Sequence, residues 1–198
     1  MWHELGKVAQ VGSGYPFRGK VESVPTGTLV ILQQKDISEL VAMDPGQLAE
    51  VVPEGAALVD TAENFARYHL EPDDVLLQMR GGQFLSVVFA GSYPAIAAQG
   101  VAVIRPGPKL MPRFLCWFLG HPKTTEKLRS MAGGTHIPFL SKKTLTEYPV
   151  PVPPLETQQS VVEAHDIRRR HRAATQRLIE LNDELVDAIT WQAATQEQ

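Results

Sequence analysis

Four prolines stand in the six positions from Pro149 to Pro154, and after them no proline or glycine occurs from Glu156 to about Ala194. Proline cannot continue a helix, so the first stretch must be a stiff extended connector. The second stretch has nothing to break a helix. Ala164, Ile167, His171, Ala174, Leu178, Leu181, Leu185 and Ala188 recur at alternating spacings of three and four. That is a heptad seam. A helix of this length spans roughly 55–60 Å at ~1.5 Å per residue. Such a rod cannot bury its stripe against itself, and its length beside a rigid connector points to pairing with another helix. The predicted organisation is a domain over residues 1–150, a connector over 151–155 and a long helix over 156–198.

Residues 1–150 read as mixed. Leu29–Leu32, Val75–Met79, Phe84–Phe89 and Val101–Ile104 are short apolar runs, predicted as strands. Prolines and glycines fall between them as turn punctuation. Pro112 suits a first helical position, and a second helical piece is expected over Lys123–Met131, stopped by Gly133-Gly134. No internal repeat is visible. The predicted fold class is α+β, a mixed-strand domain with short helices followed by one long C-terminal helix.

Charge is uneven along the chain. The total is -3. Residues 36–74 hold ten acids and one base, Arg67, whereas 105–149 hold eight bases and two acids. Arg168-Arg169-Arg170-His171-Arg172 forms a further basic cluster. A face can therefore be basic although the chain is not, and basic faces attract phosphates. The plainer reading of each cluster is a solvated surface. Cys116 is the single cysteine, which excludes an internal disulfide framework and a cysteine-cluster zinc site. No signal-peptide pattern opens the chain, and the most apolar stretch, 85–104, is broken by glycines and a proline. A soluble, cytoplasmic protein without a membrane partner is expected.

Enzyme signatures fail on inspection. Gly14-Tyr15-Pro16-Phe17-Arg18-Gly19-Lys20 approaches a phosphate-binding loop, but Val21 stands where a hydroxyl should hold magnesium. Gly12-x-Gly14 lacks the third glycine of a dinucleotide fingerprint. No lysine has an acid two residues before it, as one common nuclease arrangement requires. Val152 precedes Pro153-Pro154-Leu155 where an amino-methyltransferase carries Asn or Asp. No histidine pair has the zinc-protease spacing. Cys116, among Phe114, Leu115 and Trp117, reads as a core thiol. No catalytic set, cofactor or metal is expected.

A more specific signal lies in Ile137-Pro138-Phe139-Leu140-Ser141 and in Leu145–Gln158, where Tyr148-Pro149-Val150-Pro151-Val152-Pro153-Pro154-Leu155 leads into the helix. This resembles the specificity subunits of Type I restriction-modification systems. Other pieces fall in the family order: Trp2–Gly6, Gly14–Arg18, Leu29–Ile31 with Lys35-Asp36-Ile37 (resembling a strand), Tyr68–Leu76, and Arg80-Gly81. Asp73 stands where glycine is usual and Thr157 where glutamate is usual. The usual subunit has two recognition domains and two long helices, so this chain looks like a half-length version.

The resemblance implies a non-catalytic module that reads one half of a bipartite site in double-stranded DNA. Its helix would pair antiparallel with that of a second copy as a coiled coil. A methyltransferase subunit would dock on the helices and carry the cofactor, and a restriction motor subunit is a further partner. Arginine and glutamine fit guanine and adenine edges, and lysines position phosphates. The base-contact candidates are Arg18, Arg80, Gln83 and His136. The phosphate candidates are Lys20, Lys35, Lys109, Lys142 and Lys143, and Thr135 beside Gly133-Gly134 would bring backbone close to DNA. Pro153, Pro154, Leu155, Gln158, Ile167, Leu178, Leu181 and Leu185 are the candidate dimer and partner contacts. The alternative is a protein-interaction adaptor that reads no DNA, supported by the acidic 36–74 segment.

Overall fold

The structure is a computed structural model that describes residues 1–19, 21–43, 48–60, 63–134 and 137–195. In chain order the first elements are β1 (Trp2–Glu4), α1 (Leu5–Val8), β2 (Ala9–Ser13), β3 (Leu29–Leu32), α2 (Gln34–Met43), β4 (Leu48–Ala49) and β5 (Ala57–Val59). A 3-10 turn (Glu63–Tyr68) leads to β6 (Val75–Gln78), β7 (Ser86–Phe89), β8 (Ala95–Ala97) and β9 (Val101–Pro106). The remainder is α3 (Pro112–Leu119), α4 (Pro122–Met131), α5 (Lys142–Thr146), β10 (Pro149–Pro151) and α6 (Leu155–Thr195). The chain divides into two compact units, Met1–Val162 and Glu163–Gln198.

The first unit is α+β and layered. One sheet runs β2-β9-β6-β7-β4, antiparallel except for the parallel β4–β7 pair. A second runs β5-β3-β8, with β3 antiparallel to β5 and parallel to β8. Side chains alternate across a strand, and this alternation sorts the apolar runs into separate cores. Val75, Leu77 and Val88 face one core with α3, α4 and α5, through Phe114, Leu115, Leu128 and Leu145. Leu76, Val87 and Phe89 face a second, where Val30 and Leu32 of β3 and Ile37 and Leu40 of α2 meet them. Leu29 and Ile31 face a third, beside Phe65 and Ile96. The continuous apolar runs of β3 and β6 thus mark strands buried on both faces, and each fully buried leucine or valine contributes about 1.5–3 kcal/mol.

Two departures from the sequence reading follow from tertiary pairing. Lys35-Asp36-Ile37 belongs to α2 and not to a strand. Asp36 Oδ2 accepts from Gln33 N at 2.7 Å, which closes the helix start, and Ile37 and Leu40 form its buried face. Pro149–Pro151 is a strand, antiparallel to β1 with His3 opposite Val150. A two-stranded ribbon has only edges, so prolines are tolerated there.

Gly14-Tyr15-Pro16-Phe17 is an aromatic anchor. A side chain on Gly14 would lie 2.2 Å from the Ala98 carbonyl oxygen. Tyr15 sits edge-on to Phe17, Phe65 and Tyr68, with centroids 4.7, 4.9 and 5.1 Å away. The resemblance to a phosphate loop is therefore incidental, because the close approach serves strand packing. Among the described residues, no helix is long and apolar enough to cross a membrane.

Candidate nucleic-acid interface

The turn after β6 has the sequence Arg80-Gly81-Gly82-Gln83-Phe84. Gly81, Gly82 and Phe84 have positive φ, at 92°, 77° and 50°. Glycine adopts this region freely, but phenylalanine pays about 1–2 kcal/mol for it. Full burial of the Phe84 ring offsets that cost. The turn is thus pinned from inside, while Arg80 and Gln83 are exposed on it.

Neighbouring elements hold the turn in place. Gly81 N donates to Pro138 O at 3.0 Å, and Arg129 Nε donates to Gly82 O at 3.1 Å. Phe139 bridges to both Arg80 and Gly133. On the other side Arg80 N donates to Gln34 Oε1 at 3.2 Å. The buried Gln78 amide donates to Gln34 O at 2.6 Å and to Ser38 Oγ at 2.7 Å, which ties β6 to the first turn of α2. Gln34, Lys35, Ser38, Arg80, Gln83 and Ile137 then line a groove of about 380 Å³.

Three of the sequence candidates therefore come together: Lys35, Arg80 and Gln83. Lys35 Nζ donates to the Gly55 carbonyl and lies 3.5 Å from Asp36 Oδ1. Burial raises the Asp36 carboxyl above its ordinary value, against the lowering effects of the Gln33 amide and of Lys35. Lys35 also borders a second depression of about 560 Å³, lined by Phe17, Gly19 and Gln99. Arg18 is exposed between two of those residues. Lys142 and Lys143 are exposed on α5, which Ser141 caps by accepting from Thr144 N at 3.0 Å. Lys109 stands apart, in a depression shared with Lys7, Gln10 and Arg105. Lys20, Thr135 and His136 lie outside the described residues. Gln34 and Ser38 were not singled out from the sequence, and Ile137 was noted only as part of a motif and not as a contact; the Gln33-to-Asp36 spacing signals the cap that places the first two.

Some charges are used internally. Arg105 binds Asp74 through Nε at 2.8 Å and a second nitrogen at 2.9 Å, and Glu71 at 2.6 Å. The bonds to Asp74 chiefly raise the Arg105 guanidinium above its ordinary value. Asp36 and Asp74 are fully buried, and Glu39 accepts from Glu54 N at 2.8 Å. Part of the acidic 36–74 segment is therefore structural, which removes much of its support for an adaptor. Burial pushes the Cys116 thiol up to about 12, consistent with a core residue. Among the described residues, no group of three or more His, Cys, Asp or Glu side chains is placed to hold a metal ion.

The candidate partner contacts separate into two kinds. Gln158 is fully buried, and its amide is spent inside the chain. Its Oε1 accepts from Met111 N, and its Nε2 donates to Lys109 O and Pro153 O, all at 2.8 Å. This corrects its reading as a partner contact: it fastens the first turn of α6. Pro153 is half-buried, and Pro154 and Leu155 are exposed. In the second unit Ile167, Leu178, Leu181 and Leu185 are all exposed.

Comparison with known proteins places this arrangement. The solved structures it resembles include one from work on complex assembly and conformational transition of the type I R-M system, with a TM-score of 0.69 and 20% identity over 96% of this chain. The HsdS subunit from Thermoanaerobacter tengcongensis gives 0.63 and 21% over 90%. A Type I restriction-modification S subunit from M. genitalium gives 0.56 and 15% over 97%. The chain spans 43%, 39% and 45% of those proteins' lengths. No curated protein sequence matches it. The model of the Type I restriction modification DNA specificity domain matches residues 4–177. The chain belongs to the family of Type I restriction modification DNA specificity domains.

Proposed function

We propose that this chain is a DNA-reading module of a Type I restriction-modification system that directs a methyltransferase subunit to one half of a bipartite site. The observation that carries this reading is the Arg80–Phe84 turn in a chain of this family. Arginine and glutamine are the side chains whose forks match guanine and adenine edges. Here both are exposed on a backbone locked by a buried ring, so little ordering is left to do on binding. Lys35, Lys142 and Lys143 supply phosphate contacts, and Arg18 approaches from the adjoining depression. In this reading the chain performs no chemistry and acts in the cytoplasm. Residues 1–150 read DNA, 151–155 connect, and 156–198 space and pair.

The helix pairs antiparallel with a second copy. The seam supports this orientation because it is self-complementary about residue 176. Ala164 then faces Ala188, Ile167 faces Leu185, His171 faces Leu181, and Ala174 faces Leu178. The same register sets the basic Arg168–Arg172 cluster level with Glu180, Asp183 and Glu184. A parallel pair would set like charges side by side. A two-fold reader expects a palindromic split site.

The test is a methylome. The chain is expressed with and without a Type I methyltransferase subunit in a methylation-free host, and modified bases are mapped. A split palindromic motif that needs both proteins is expected. No motif, with both proteins folded and associated, would overturn the DNA-reading assignment in favour of an adaptor.

A further inference from the structure

The depression beside Lys35 carries a second fixed turn. Ala98-Gln99-Gly100-Val101 joins β8 to β9, and Val101 N closes it by donating to Ala98 O at 3.1 Å. Gly100 supplies a positive φ of 95°, which a tight turn takes at its third residue. The stem is buried through Ala97, Ala98, Val101 and Ala102. Three further bonds tie the turn to distant segments. Ala98 N donates to Leu32 O at 2.8 Å, Gln99 N donates to Tyr15 O at 2.9 Å, and Gly100 O accepts from Met79 N at 2.8 Å. Tyr15 is wedged among Phe17, Phe65 and Tyr68. The aromatic anchor thus holds the backbone of Gln99.

Five glutamines line the groove and the depression: Gln33, Gln34, Gln78, Gln83 and Gln99. Gln78 is buried, Gln33 is half-buried, and Gln34 Oε1 accepts from Arg80 N. Gln83 and Gln99 are the two that are exposed. The bond from Met79 N to Gly100 O lies next to Arg80, so the two turns stand side by side. Lys35 borders both depressions. A glutamine amide offers an acceptor and a donor together. Adenine presents the complement in the major groove, an N6 donor and an N7 acceptor, whereas guanine presents two acceptors.

We infer that Gln99 is a further specificity-determining residue, which reads an adenine in the same half-site as the base met by Arg80. Its Oε1 accepts from the N6 amino group, and its Nε2 donates to N7. This rests on the DNA-reading function proposed above. The pinned turn leaves only the side chain to be ordered on binding.

The test uses the full chain in complex with the methyltransferase subunit and the half-site found in the methylome. Each adenine of that half-site is replaced in turn by 7-deazaadenine, in which a C–H takes the place of N7. At one position the replacement weakens binding by the parent chain roughly two- to tenfold. Gln99→Ala weakens binding to the unmodified site roughly five- to a hundredfold, leaves binding to unrelated duplexes unchanged, and abolishes the 7-deazaadenine effect at that one position. Equal weakening on every sequence overturns the base contact. So does unchanged cognate binding by Gln99→Ala, or a 7-deazaadenine effect that persists in Gln99→Ala at every position. A half-site without adenine on either strand overturns the inference and leaves DNA reading intact. Absence of any motif overturns DNA reading and the inference with it.

Discussion

Leucine does opposite things in the two units. In Met1–Val162, Leu5, Leu29, Leu76, Leu115 and Leu145 are completely buried. In Glu163–Gln198, Leu178, Leu181 and Leu185 are 67%, 44% and 58% exposed. The first unit closes its cores with three-dimensional packing of strands and helices. The second is a single helix, and a single helix has no second layer to cover its stripe. Helical stability comes mostly from packing an apolar face and little from propensity alone. The first unit is therefore a folded body by itself, whereas under the proposed pairing the second becomes one only with a second copy, and its stability then depends on protein concentration.

The strongest way to break this contrast is Leu181→Glu. Two buried like charges enter the proposed seam, and the chain is expected to become monomeric by light scattering, with the first unit's unfolding unchanged. An unchanged dimer mass would show that the seam is not the interface. Next in size, Gln158→Ala acts on the first unit alone. It strands the Met111 amide and two carbonyls, and should cost about 2–5 kcal/mol in denaturant unfolding. A loss confined to dimer affinity would restore Gln158 as a partner contact.

Arg80→Ala sharpens the contrast in another way, since an exposed side chain on a pinned turn contributes to binding and not to folding. It should cost about 1–3 kcal/mol of affinity for the cognate site and relax specificity there, with an unchanged melting temperature. Lys142→Ala should instead weaken binding to all sequences and reduce the salt slope by about one. The smallest effect concerns Asp73, at φ 72°. Asp73→Ala should cost about 1 kcal/mol, while Asp73→Gly should change stability by less than about 0.5 kcal/mol. Equal losses for both would mean that the carboxylate, and not the backbone, matters.

Asp73 also shows how residue-level reading and structure complement each other. The sequence comparison noted a departure from glycine; the positive φ supplies the reason glycine is usual there. The strands Leu29–Leu32 and Val75–Gln78 and the helices opening at Pro112 and near Lys123 were legible because apolar runs and prolines act locally. Helix α2 was missed because three of its residues resemble a strand element of the family, while its cap and its buried Ile37–Leu40 face depend on the second core. Within the site, Arg80, Gln83 and Lys35 were chosen by chemistry, and Gln34 and Ser38 were invisible because their roles come from a glutamine 40 and more positions away. Gln158 was misjudged for the same reason. A three-way amide tie leaves no mark on local composition.

By itself, the order of residues determined the long helix, its heptad seam, the extended proline segment and the α+β character of the rest. These depend on backbone sterics and on periodicities of two and 3.6 residues, which neighbours in sequence impose. Only the tertiary structure decided which polar groups are spent on folding and which remain to meet a partner. Desolvation and hydrogen bonding are settled by what arrives from distant parts of the chain, so Gln158 is enclosed and Arg105 is tied to Asp74 and Glu71, while Arg80 and Gln83 are left in water.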